Sequence, residues 1–226
     1  ASAHPGYAPP QSCTYNYSAV LPSIGLVYNF TPEISGYFNF SEGLQVPGTD
    51  PLYNSLYYPD GTPGVRPNPE RTFSYEGGLR YNSGAVTAQF GGWYTLFKDR
   101  LASAYDPDLD QSIYRNLGTV EKWGVDVSVS VEPVEDLLLY VWGSYLHSRI
   151  QDDLVAGTCS ASNVSSGYYG CSVAGDDYYY ATAGNRESGA PDWMLGARAQ
   201  YTIGGLTLGA QVKYTGERYV NDENMP

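Results

Sequence analysis

The chain has 226 residues and a formal charge of −12, a balance that repels a phosphate backbone with no Lys/Arg stripe to offset it, which argues against nucleic acid as a partner. Tyrosine (23) and glycine (26) are abundant while Lys and Arg number 12, a composition that suits strands and turns and points to an all-β protein. No apolar run reaches the roughly 18 residues of a helical membrane span, which leaves strands as the means of crossing a membrane.

From the N-terminus, Ala1-Ser2-Ala3-His4-Pro5 has neither a basic n-region nor an apolar h-region, so residue 1 reads as a processed end or an internal point of a longer chain. Residues 1–18 read as the end of a loop. Strands are expected at about 19–30 and 33–42, where Ile24, Leu26, Tyr28 and Phe30 give way at Thr31-Pro32 to Ile34, Gly36, Phe38 and Phe40. A second hairpin spans 71–82 and 85–98: Phe73, Tyr75, Leu79 and Tyr81 alternate with Thr72, Ser74, Glu76 and Arg80, and the return arm alternates likewise. The third, 118–131 and 137–150, carries Trp123, Val125, Val127, Val129 and Val131 on one parity and turns at Glu132 to Asp136. Its second arm is apolar on both parities, so its faces stay unassigned. The fourth, 191–203 and 206–218, turns at Gly204-Gly205.

Between hairpins the connections are long: 43–70, 99–117 and 151–190, against short turns within each hairpin. Short turns at one end, long loops at the other, and strands of ten or so residues alternating apolar with polar fit an outer-membrane barrel. Charged residues such as Glu76, Arg80, Lys122, Asp126, Arg198 and Lys213 keep to the polar parity, while Tyr28, Tyr81, Tyr201 and Trp123 or Trp193 sit near strand ends on the apolar one, where interfacial girdles would place them.

Four segments carry a family resemblance: "NPERTFSYEGGLRYNSG" (Asn68 to Gly84), "NLGTVEKWGVDVSVSVEPVEDLLLYVWGSYLHSRIQDD" (Asn116 to Asp153), "APDWMLGARAQY" (Ala190 to Tyr201) and "YTGERYVND" (Tyr214 to Asp222). In order and spacing they resemble the C-terminal barrel of TonB-dependent outer-membrane receptors. The resemblance implies a transmembrane antiparallel barrel of about 22 strands, of which about eight consecutive ones lie here with about three to follow, in the bacterial outer membrane. It implies an N-terminal plug domain, absent from this sequence, that contacts the TonB inner-membrane complex, and import of a small-molecule or oligosaccharide ligand such as a siderophore-iron chelate, cofactor or glycan. The other expectation is a small closed β-barrel or a soluble β-sandwich acting as a ligand-binding or adhesion module.

An enzyme is not expected. His4 and His147 are the only histidines, no Gly-x-Ser-x-Gly elbow is present, and the adjacent acids form no placed acid/base pair. No cofactor is implied. Asp106, Asp108 and Asp110 alternate as calcium ligands do, but Gln111 and Leu117 stand where an EF-hand needs glycine and glutamate. Cys159 and Cys171 lie close together without zinc-ligand partners and suit a local disulfide, leaving Cys13 over. Loop tyrosines Tyr53, Tyr57, Tyr58, Tyr168, Tyr169, Tyr178, Tyr179 and Tyr180 offer flat faces with polar tips for ligand capture, and Arg115, Arg149 and Arg186 could hold an anion by paired hydrogen bonds.

Overall fold

The computed structural model describes residues 16–47, 68–106, 111–116, 118–159, 161–168 and 170–224, and only the backbone of 102–106, 111–116 and 156–158. Eight strands form one antiparallel sheet: β1 (Ser23–Asn29), β2 (Ile34–Gln45), β3 (Glu70–Asn82), β4 (Val86–Lys98), β7 (Val120–Val134), β8 (Leu137–Ile150), β11 (Trp193–Ile203) and β12 (Leu206–Thr215), each beside its chain neighbour in that order. Edges β1 and β12 do not pair with one another, and among the described residues no second sheet packs on this one. The eight strands therefore do not close on themselves, and among the described residues they are not half of a sandwich. β3 and β4 have 13 residues each, β7 has 15 and β8 has 14, enough to cross a bilayer at a tilt, which takes roughly 9 to 11.

Local chemistry sets the turns. Between β1 and β2 the Thr31 hydroxyl accepts from the amides of Glu33 and Ile34 at 3.1 and 3.0 Å. After β3, the Asn82 side-chain oxygen accepts from the Gly84 amide at 3.1 Å, and Gly84 takes φ 83°, open to glycine at no steric cost. The third turn is tighter than the sequence suggests: β7 continues to Val134, with a register shift between Val131 and Val134. Pro133 has no amide to donate to the ladder, so the strand bulges there instead of ending.

Two of the long connections contain structure of their own. β5 (Leu101–Asp106) and β6 (Gln111–Asn116) form a hairpin within 99–117, and β9 (Leu154–Thr158), the short helix α1 (Ala161–Ser166) and β10 (Asp177–Tyr180) lie within 151–190. These strands lie inside segments read from sequence as long loops, and at four to six residues each they are too short for alternation to mark them.

Register settles the faces. Trp123, Val125, Val127 and Val129 stand opposite His147, Tyr145, Gly143 and Val141, which puts the odd residues of β8 on the apolar face and Tyr140, Trp142, Ser144, Leu146 and Ser148 on the polar one. Among the described residues no protein layer covers the apolar face. Phe90, Val141, Val127 and Leu195 remain 54, 52, 46 and 45% exposed, although such residues are normally interior. A continuous apolar surface across eight strands exceeds what a soluble monomer leaves in water.

Candidate functional site

The buried residues gather at the long-loop end of the sheet. Glu70, Val120, Ser148 and Ile150 are even-numbered, polar-face positions, each no more than 3% exposed, and Thr182 is fully buried beside them. Glu70 is held by Arg100 and the Leu101 amide, while the segment 181–191, here called the strap and including Thr182, bonds to Ser148 and Ile150. β8 holds its start, with Gly184 donating to Ile150 and Ile150 to Asn185 at 2.8 and 2.9 Å, and its end, with Leu146 donating to Asp192 at 2.8 Å. Residues 186–191 therefore bulge from the ladder over the polar face. The other side of the strap meets the segment after β12: Arg186 N donates to Asn224 Oδ1 at 2.8 Å and Asn224 Nδ2 returns to Arg186 O at 2.7 Å. Ser188 N donates to Asp222 Oδ1 at 2.7 Å.

Four charges pin the strap to the rim. Arg100 donates twice to Glu70 at 2.9 and 3.1 Å and through Nε to Glu187 at 3.0 Å, while Lys122 pairs with the other oxygen of Glu187. Both cations lie over the Phe97 ring, 4.7 Å and 5.1 Å from its centroid. Burial alone would lower the Arg100 pKa, but Glu187 and Glu70 more than reverse it and hold the guanidinium charged.

Below the rim, aromatic rings lie flat on the polar wall across glycines. Tyr37 stands opposite Gly78, Trp93 opposite Gly124 and Trp142 opposite Gly196, and each ring covers its partner. A Cβ at Gly124 would meet Trp93 and the Tyr145 carbonyl at 2.6 Å, so glycine is required for the ring to lie down. The polar edges are used: Tyr37 donates to Glu76 at 3.0 Å, Trp93 to Asp126 at 2.9 Å, and Arg80 sits 4.3 Å over the Tyr37 ring. Gln89, Asp126, Ser128, Tyr140 and Trp142 line a cleft of about 210 Å³ in this wall. Gly91→Ala should cost about 1 kcal/mol, because its Cβ would meet Tyr37 Oη at 2.8 Å and otherwise only atoms beyond 3.5 Å. In a Tyr37→Phe background most of that cost should vanish. Unfolding midpoints of the four proteins of this cycle provide the check, and an equal cost in both backgrounds would refute the inlay.

The apolar face carries a ring of aromatics near the long-loop end. Phe40 packs on Tyr75 (4.9 Å between centroids), Tyr75 on Tyr94 (6.3 Å), Trp123 on Tyr145 (5.4 Å) and Tyr145 on Trp193 (4.7 Å), in cross-strand succession. His147 joins it, 5.4 Å from Trp123. This is an interfacial girdle, with Tyr28, Tyr81 and Tyr201 near the short-turn end.

The residues singled out from sequence scatter. Cys159 and Cys171 are bonded and form a small core with Tyr178, flanked by Val164 and Tyr180. Tyr178, 4% exposed, packs this core instead of being displayed, because β10 turns it inward against the disulfide. Tyr168 (37%) and Tyr179 (52%) are exposed, Tyr180 half-buried. Arg149 lies opposite Glu121 on the apolar-face parity, away from the polar wall, and Arg186 pairs with Asp192. The Arg115 backbone is in β6 and Asp106 ends β5. Tyr53, Tyr57, Tyr58, Tyr169, Asp108, Asp110, His4 and Cys13 lie outside the described residues. Among the described residues no three His, Cys, Asp or Glu gather as a metal site. Sequence reasoning missed Arg100, Glu187 and the strap; the one signal was an Asp-Arg pair at the exit of β4, where Asp99 takes φ 53° and redirects the chain.

Comparison with known proteins agrees with this geometry. The family model described as TonB dependent receptor-like, beta-barrel, matches residues 2–226. Similar solved structures include the copper transporter OprC (13% identity, TM-score 0.61, covering 85% of this chain and 25% of that one). The ferric yersiniabactin uptake receptor FyuA from Yersinia pestis matches at 20% identity and TM-score 0.60, over 90% of this chain and 27% of that one. BauA, the ferric preacinetobactin receptor from Acinetobacter baumannii, matches at 20% and 0.57, over 90% and 26%. The chain thus spans about a quarter of the length of these structures. It belongs to the TonB-dependent receptor β-barrel family of the bacterial outer membrane, and supplies eight consecutive strands of such a barrel.

Proposed function

We propose that the whole protein is an active-transport receptor that captures a scarce ligand at the long-loop end and passes it through the lumen with TonB-supplied energy. The observation that carries this is the division of one sheet into an aromatic-ringed apolar face and a polar wall. The apolar face contacts outer-membrane lipid, the short turns are periplasmic and the long connections extracellular. Neighbours named for ferric yersiniabactin, ferric preacinetobactin and copper favour a metal chelate, with a cofactor or glycan as the other ligand classes. Tyr168, Tyr179 and Tyr180, with Tyr53, Tyr57, Tyr58, Tyr169 and Arg115 of the same loops, are the proposed capture residues. A plug domain in the rest of the protein couples to the TonB complex, and the mechanism is binding with population shift, without bond chemistry.

Cells lacking this gene, supplied with radio-iron as a panel of ferric chelates, with copper or with labelled oligosaccharides, are expected to lose accumulation of one of them. Deleting TonB should reproduce the loss. Accumulation unchanged for the whole panel, or a loss that TonB deletion fails to reproduce, would sink the reading.

A further inference from the structure

We propose that Arg100 and Lys122 form a binding site for a single anionic group, carboxylate or phosphate, at the lumenal rim, and that the Glu187 carboxylate is its internal occupant. Arg100 is held in place without Glu187, and Lys122 rests on the Phe97 ring. Glu70, 2% exposed, accepts two hydrogen bonds from Arg100 Nη1 and a third from the Leu101 amide at 3.0 Å. That fixes the guanidinium and leaves its Nε and Nη2 edge facing Glu187, at 3.0 and 2.9 Å. Such an edge is the geometry by which arginine takes a carboxylate or phosphate. Lys122, with 17% of its side chain exposed, closes the opposite side, and the Phe97 ring floors both cations.

Charge counting gives the stoichiometry. Glu70 neutralises one of the two cations, so with Glu187 rotated out the pocket retains one net positive charge and calls for one anion. Glu187 can leave without the strap. Its backbone is tied at Ser148 Oγ (3.3 Å), and neighbouring strap residues are tied at Asn224, Asp222 and Ile150, so a side-chain rotation alone opens the pocket. An incoming anion pays for displacing Glu187, which lowers its apparent affinity by the fraction of time the pocket stands open.

The proposal rests on the lumenal placement given above, and its test uses neither TonB nor transport, so either can fail alone. Inorganic phosphate is titrated against the purified full-length receptor, read by phosphorus NMR line width, with malonate in parallel by calorimetry. Glu187→Gln is expected to bind both anions at least about tenfold more tightly than the parent. Adding Lys122→Met should erase the gain. Glu187→Asp, too short to span both cations, should give an intermediate gain and carries the same test should Glu187→Gln not yield a heat-resistant folded barrel. No gain in either variant, or a gain that survives Lys122→Met, would overturn the site and leave an ion cluster that only fastens the strap.

Discussion

Arginine in place of Val127 is expected to destabilise the inserted barrel by about 2–4 kcal/mol, whereas arginine at the adjacent Ser128 should cost about 1 kcal/mol or less. The two residues are neighbours on β7, so their positions along the membrane normal are nearly the same. Val127 pairs with Phe90 and Gly143 and stays 46% exposed on the uncovered apolar face, between the Trp123 girdle and the Pro133 bulge. Lipid at that depth offers an arginine no counter-charge and no water within easy reach. Ser128 lines the polar cleft beside Asp126 and Gln89, where a guanidinium finds both water and a carboxylate. Reversible denaturant unfolding of the full-length receptor in phospholipid vesicles measures both. Equal costs would mean that the uncovered face meets something other than hydrocarbon.

The face assignment behind that prediction was legible for some strands and not for others, for a physical reason. On β3 one parity is apolar and the other polar, so alternation alone assigns Tyr75 and Leu79 against Glu76 and Arg80. On β8 it fails because Tyr140 and Trp142 face the polar wall, Trp142 being spent on covering Gly196, and Ile150 is buried under the strap. Only pairing with β7 decides that strand. The ring-on-glycine inlays are likewise products of register: Trp93 and Gly124 become partners only once β4 and β7 are aligned. The strap is invisible to periodicity, since Thr182, Asn185, Glu187 and Ser188 act singly through polar contacts to distant residues. The cysteine spacing did announce the disulfide, but nothing in the tyrosine run separates Tyr178, which packs on it, from Tyr179, which does not.

Replacing Cys159 and Cys171 by serine is expected to loosen the segment from β9 to β10 by about 3 kcal/mol while leaving the melting of the eight-stranded sheet unchanged. The bond closes a loop of sequence separation 12, and the chain-entropy cost of ordering such a loop without it is of that size. Little else is available to replace it. The buried cluster consists of the two cysteines and Tyr178, a core too small to hold six-residue α1 against a two-stranded sheet unaided. Thr182 Oγ1 accepts from the Leu154 amide at 2.9 Å, but the rest of the strap should not follow, because its other anchors are the β8 backbone, Asp153, Asp222, Asn224 and the Arg100–Glu187–Lys122 ion pairs, none of which passes through the disulfide. Hydrogen exchange on the oxidised and serine proteins separates the two regions: amides of 154–180 should exchange on the order of a hundredfold faster, and those of Gly184 and Ile150 at an unchanged rate. Faster exchange at Gly184 and Ile150 as well would make the disulfide-bonded segment and the strap one cooperative unit.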